Sequence, residues 1–546
     1  MKFTKFLLFA GFICTLACSC RSMSGSATHL YISQESSGTG DGSNCGNALP
    51  LTFINGAGNW GAGARQIGPG TTIHLCGVFT AGFQIHGSGT LEHVIEFVWE
   101  PGARVSVPYG RMINLNGSNG FLRFNGGVPC GPGTACDASE AANQRRYAAG
   151  QTGIIEATAN GSALAYQNVN TQAFYGCSGC HDIEIRNLII RNLYVHSSMS
   201  DTTNNADSFA LVFQCPSNTA QGCAGGTISI HDSSIHDSGN TISLQHFTSS
   251  PVTLNIYNID CYHNNWCVEL SGSGSRTLNL HDNHFHDASN WDTTTDAFHH
   301  NGIHVFMVNA SDSLGINIYN NLSDGNWGNC CTTAFQAFIE SYNGTIPDKV
   351  NIYNNVAVQY PGNTSPAWNI SATNLLFANN TAIGSATSTS GSAIRFGGIG
   401  ITFENNTFQG FQQFWYSYPG STFINIDFNQ WANPIPTGNT HWQIGKLGGA
   451  NTFSEWRKLC TCDLHGASPA HLGVNASGVP QARSALIGAG ANLTDLQIPA
   501  LGYDTSAGGE RTPVNRPPTG PWDVGAYQLP SSPTQKPLAQ TSAPPH

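Results

Sequence analysis

From about Ile183 the chain repeats one short pattern: apolar, polar, apolar, polar, then Asn or Asp. It reads IEIRN at Ile183, ISIHD at Ile228, LNIYN at Leu254, LNLHD at Leu278, INIYN at Ile316, VNIYN at Val350, LLFAN at Leu375 and ITFEN at Ile401. Strict alternation over five residues predicts a strand with one buried face. Its return every ~25 residues predicts a solenoid of stacked coils, with surplus residues in the units that begin at Ile183, Leu278 and Ile316. The fifth position, Asn187, Asp232, Asn258, Asp282, Asn320, Asn354, Asn379 and Asn405, is expected to form a ladder of side chains at a turn.

Two further strands emerge from aligning the coils. A polar column falls at Arg191, His236, Tyr262, His286 and Asp324, with Asn192, Asp237, His263 and Asp287 one residue on, which predicts a stripe at the edge of a second sheet. A third strand reads TISLQ at Thr241, CVELS at Cys267, GIHVF at Gly302, AFIES at Ala337, AWNIS at Ala367 and AIRFG at Ala393. With Ile242, Val268, Ile303, Trp368 and Ile394 inward, the outward set is Ser243, Glu269, His304, Asn369 and Arg395. The Ala337 strand can be read in two frames, presenting Phe338 or Glu340.

Composition narrows the classes. Only 10% of residues are charged, 62 are Gly, and the net charge is -11 with 21 Lys and Arg. That balance offers no footprint for nucleic acid or an anionic membrane surface. The N-terminus, residues 1–20, has two lysines, an apolar run and small residues, the form of a secretory signal. Its TLAC also resembles a lipobox, with Thr15 where Leu is usual, which would place a lipid anchor on Cys18 at the cell envelope; ordinary secretion is the alternative. Of 17 cysteines most fall in close pairs, Cys130/Cys136, Cys177/Cys180, Cys215/Cys223, Cys261/Cys267, Cys330/Cys331 and Cys460/Cys462, with Cys45 and Cys76 left to pair at longer range. In an exported chain such pairs read as disulfides.

Repeat and ladder together resemble the right-handed parallel β-helix of the pectate-lyase-like superfamily, seen among secreted bacterial β-helix proteins. The resemblance implies three parallel sheets over residues 29–435 with an N-terminal cap in the Gly40–Phe79 region, a C-terminal capping segment over 436–530 carrying FSEWRKLCTCDLHG, SALIGAG and WDVGAYQ, and a monomer. Residues 531–546 are Pro- and Ser-rich, a composition of disordered tails. The architecture hosts lyases, hydrolases, epimerases and inert adhesins, so chemistry must come from the residues.

The densest chemistry lies in Leu278–Phe306, LNLHDNHFHDASNWDTTTDAFHHNGIHVF. A hydrolase needs two carboxylates about the glycosidic bond, and the expected acid–base set is Glu269 and Asp296 with His300 and His304. Arg395, Trp291, Glu340, His286 and Tyr262 are the expected substrate-binding residues on a polysaccharide. A metal at Asp296–His304 is not expected, because the neighbours His299 and His300 diverge in an extended strand; a Ca²⁺ requirement stays open. A lyase or uronate epimerase would need a base with positive charge beside it, yet no Lys of the body precedes Lys349. The motifs also depart from the Asp-Asp and Gly-His-Gly pattern of β-helix polygalacturonases. A glycan-binding surface lipoprotein or adhesin is the reading from outside enzymology. His231 and His281, aligned with Tyr257, Tyr319 and Tyr353, are expected to form a surface column.

Overall fold

A computed structural model describes residues 28–115, 117–132, 152–159, 170–177, 179–193, 208–214, 225–245, 252–272, 276–288, 300–306, 314–328, 334–341, 345–385, 392–436, 440–496, 498–502 and 513–529. Its strands stack in parallel, each coil feeding three sheets of a right-handed parallel β-helix. The pentads form the first sheet in the expected register, with Leu254 opposite Leu278, Ile316 and Val350 in successive coils. The second sheet pairs Tyr262 with His286 and His286 with Asp324. The third aligns Ser243, Glu269, His304, Phe338, Asn369, Arg395 and Tyr416. Inward residues of the three sheets, among them Ile256, Cys261, Leu270, Phe285 and Ile303, make one continuous apolar core.

The corner between the first two sheets moves most of the ladder by one residue; the fifth position keeps the rung in which Asn258 Nδ2 donates to Asp232 Oδ1. The fifth-position residues take left-handed backbone, with φ of 53° at Asn258, 56° at Asp282, 57° at Asn320 and 54° at Asn354. Asn and Asp tolerate that conformation better than other side chains, which is why the position is restricted. The coil-to-coil ladder is the next residue, pointing inward: Asn283, Asn321, Asn355, Asn380, Asn406 and Asn429, all buried. Asn321 Nδ2 donates to Asn355 Oδ1 at 3.0 Å and to the Leu280 carbonyl at 3.0 Å, while Asn321 N–H also donates to Asn355 Oδ1 at 3.0 Å. Asn355 repeats the pattern on Asn380 and Ile318. An amide supplies two donors and an acceptor, so a column of them satisfies a buried backbone corner without leaving an orphan group.

The outer face of the first sheet carries the expected aromatic column, His231, Tyr257, His281, Tyr319 and Tyr353, with successive rings 4.5–5.0 Å apart and nearly parallel. Beside it runs a second amide ladder, Asn255, Asn279, Asn317 and Asn351. Nearer the N-terminus the same face turns ionic. Glu184 accepts from Arg123 Nε at 2.6 Å and lies 3.3 Å from both Arg186 Nη1 and His231 Nε2. Burial acts to raise its pKa, but these hydrogen bonds and charges outweigh it and hold the carboxyl down at about 2.

The ends are closed differently. Cys45–Cys76 ties the N-terminal cap to the first sheet, and Cys261–Cys267 and Cys460–Cys462 form as expected. The last parallel rung of the third sheet pairs Trp415 with Trp442, so the solenoid runs beyond residue 435. The helix Phe453–Cys460, started by a Thr452–Glu455 capping box, then lays the buried Trp456 over Trp415, Trp431 and Trp442. Just beyond the helix Asp463 receives Asn429, Trp431 and Trp456, and Ala467 bridges Gln430, so the end is closed there before the chain turns back. From there the chain returns along the outside of the second sheet, packing Val479, Leu501, Ala526 and Tyr527 against Leu322 and Val356.

Two stability measurements test these interactions. Asn355→Ala should cost about 2–4 kcal/mol, since it strands buried Asn321 donors, whereas Asn351→Ala on the outer ladder should cost under about 1 kcal/mol, read as urea midpoints. Glu184→Gln should cost about 1–3 kcal/mol at pH 7 after allowing for partial exposure. Because the folded pKa is depressed, that difference is present above the unfolded value near 4.5 and should fade as pH falls toward 2.

Candidate functional site

Two outer faces carry the polar chemistry, on different sheets. On the third, consecutive coils present Glu269, then His304, then Phe338 in one column. Phe338 lies in the strand Ala337–Ile339 and Glu340 directly follows it, each half-buried beside the inward Ile339, so the two frames resolve into one. Glu340 extends the face beside Phe306, with its Oε2 4.0 Å from His304 Nε2. Glu269 is 3% exposed and accepts from Asn240 Nδ2 at 3.5 Å and Gln245 Nε2 at 3.4 Å. The His304 ring stacks on Phe306 and Phe338, at 4.5 and 4.9 Å, and meets the edge of Trp266 at 5.1 Å. Arg395 occupies the same column three coils after His304, beside Asn369 and Tyr416. Connections between the second and third sheets span 158–170, 192–207, 287–300, 325–336, 359–367 and 384–391, whereas the strands Gly226–Gln245 and Val252–Ser271 run from one sheet to the next without a break.

Other expected members lie elsewhere. His300 is fully buried at the corner entering the third sheet, its Nδ1 3.2 Å from the carbonyl of the equally buried Trp327, so it packs the corner and does not reach the floor. Tyr262 and His286 are on the second sheet, separated from Glu269 and His304 by a corner. Tyr262 is 4% exposed, clamped between His236 at 4.4 Å and His286 at 5.0 Å, which denies it a free face for a sugar. Asp296 and Trp291 lie outside the described residues.

The second sheet instead gathers imidazoles and carboxylates. His286 places Nε2 3.1 Å from Asp260 Oδ1 and Nδ1 2.8 Å from Asp287 Oδ2. His284 places Nδ1 3.5 Å from the same Asp260 oxygen and Nε2 2.7 Å from Asp324 Oδ1. Burial alone would lower the His286 pKa, yet the Asp260 and Asp287 hydrogen bonds and charges push it up to about 10. Asp260 is held well below the usual carboxylate range, since the hydrogen bonds and charges of both imidazoles override the effect of burial. One coil away Asp237 is lowered in the same way by His236 and His263. Asp260 and His284 went unassigned on sequence alone. The signal was present in the HFH alternation about an inward Phe285, and in Asp260 two residues before Tyr262 on the neighbouring coil.

No family model and no curated protein matches the chain. Among solved structures it is similar to the GH136 lacto-N-biosidase from Eubacterium ramulus, at 12% identity and a TM-score of 0.37 over 77% of this chain and 67% of that one. It is also similar to pectate lyase Pel9A, at 12% identity and a TM-score of 0.32 over 93% of this chain and 97% of that one. At those scores the chemistry is read from this chain's own side chains.

Proposed function

We propose that this chain is an exported glycan-cleaving enzyme of the hydrolase type, with its substrate lying across the outer face of the third sheet. The observation that carries the reading is the convergence of Glu269, His304 and Glu340 from successive coils among the rings of Trp266, Phe306 and Phe338. Aromatic faces beside carboxylates suit the apolar face and hydroxyls of a sugar ring. Glu340 lies two rungs of roughly 4.8 Å from Glu269 and two residues of roughly 3.3 Å further along the chain, a backbone spacing of about 12 Å. Side chains leaning inward from that distance fit the ~6.5–9.5 Å of an inverting pair, with room for a water, better than the ~5–5.5 Å of a retaining one. His304, set between them and near Glu340, orients one carboxyl or the substrate, and Arg395 with Asn369 extends the floor for further sugars. Asp296 on the Leu278 insertion remains the alternative partner for Glu269.

A lyase or epimerase has less support, because Arg395, the cation expected to hold a uronate carboxylate, is three coils from His304. Disulfides such as Cys45–Cys76, Cys261–Cys267 and Cys460–Cys462 support export, and among the described residues no helix is long and apolar enough to cross a membrane. A lipid anchor at Cys18 remains the finer form of that proposal.

The purified chain, screened on plant and algal polysaccharides, should release reducing ends of inverted configuration without unsaturated-uronate absorbance. Glu269→Gln and Glu340→Gln should each lower kcat by about 10²–10⁴-fold with KM little changed. Growth of the uronate absorbance would assign a lyase. Glycan binding with no cleavage on any substrate would assign a non-catalytic binder.

A further inference from the structure

The His and Asp residues of this fold mostly pair in one local way. At His181–Asp182, His231–Asp232, His236–Asp237, His281–Asp282 and His286–Asp287, Nδ1 bonds the carboxylate of the next residue, which sits at a left-handed corner. Such a pair needs no ligand to explain it. The neighbourhood of Asp260 departs from that rule. Among the described residues, Asp260, His284 and His286 are the one set whose donor atoms come from three side chains to a common point, all within 4.8 Å of one another.

We propose that Asp260, His284 and His286 bind a single first-row divalent transition-metal ion. Donors held at about 2.0–2.2 Å by one ion stand roughly 3.0–3.5 Å apart, and the Asp260 oxygen already stands 3.1 Å from His286 Nε2 and 3.5 Å from His284 Nδ1. The ring nitrogens that face away from the common point are each fixed by a further carboxylate, Asp287 for His286 and Asp324 for His284. Imidazoles that ligate metals are held in this manner, because the outer carboxylate sets tautomer and ring orientation and raises ligand basicity. Two nitrogens and one oxygen suit Zn²⁺, Co²⁺, Mn²⁺ or Ni²⁺; Ca²⁺ and Mg²⁺ favour all-oxygen shells.

The surroundings leave the point reachable. Toward the N-terminus the outer face of the second sheet is covered by Cys130 packed on Ile154 and Ile189, and toward the C-terminus by the returning segment on Leu322 and Val356. Between these covers the Asp260, His284 and His286 side chains keep 19%, 14% and 12% of their exposure. An ion there links the coil of Asp260 to the coil of His284 and His286, and three protein ligands leave positions for water.

The test uses the full chain after chelator treatment and dialysis. Titrated with Zn²⁺ or Co²⁺, it should bind one equivalent and melt at a higher temperature, while Ca²⁺ at equal concentration should shift nothing. Asp260→Asn and His284→Gln should each weaken binding by about 100-fold or more, and Asp324→Asn by about 10–100-fold. Loaded with Cu²⁺, the wild-type chain should show electron-spin hyperfine structure from two imidazole nitrogens. Failure of the folded wild type to bind any of these ions overturns the proposal, as does binding left unchanged by both Asp260→Asn and His284→Gln. Should those variants not fold, the Cu²⁺ spectrum decides, and a pattern lacking the two nitrogens overturns it. None of these readouts depends on glycan cleavage, so this site and the third-sheet reading stand or fall separately.

Discussion

Everything in this molecule depends on parallel pairing that repeats one rung above another with the same face outward. Parallel strands cannot stack this way unless each coil solves its corner, because the backbone must turn inside a dry interior. The buried amides from Asn283 to Asn429 provide that solution, each accepting from one coil and donating to another. At the end of the series Asn429 donates to Asp463, so the column finishes on a carboxylate that also receives Trp431 and Trp456 of the cap. Corner and cap are therefore one hydrogen-bonded system.

The same stacking turns sequence columns into chemistry. A residue type repeated at one position becomes a ladder, as with the outer Asn and Tyr columns of the first sheet. A residue that breaks the column becomes a site. Glu269, His304 and Phe338 are such breaks on the third sheet, and Asp260 followed by His284 is one on the second, between Ser234 and Leu322. Two faces of one solenoid thus carry unlike chemistry, carboxylates among rings on one and carboxylates among imidazoles on the other.

Much of this was legible in the sequence, for a physical reason. Alternation has a period of two and coils repeat, so register, inward residues and the outward column from Ser243 to Arg395 could be read directly. The ladder was misplaced by one residue because Asn occupies both positions at 320–321, 354–355, 379–380 and 405–406, and spacing cannot separate a left-handed corner from an inward amide. His300 and Tyr262 looked like site residues because polarity and aromaticity do not report burial. The meeting of Asp260 with His284 and His286 depends on side-chain torsions and on a neighbouring coil, neither of which a linear pattern encodes. Nor does any periodicity announce that the segment after the cap helix turns back along the second sheet.

That returning segment bears on the order in which the chain acquires its structure. A solenoid adds coils locally, each new rung pairing with the one just made, so its growth can track the emergence of the chain. Leu322 and Val356, however, keep their outer faces bare until Leu501 and Tyr527 arrive, and Asn354 waits for Arg516 and the Pro499 carbonyl. The middle coils are thus finished from outside by residues made much later. During that interval the half-built rod displays an apolar stripe, which makes the middle of the molecule, and not its tip, the place where nascent chains are most exposed to wrong partners.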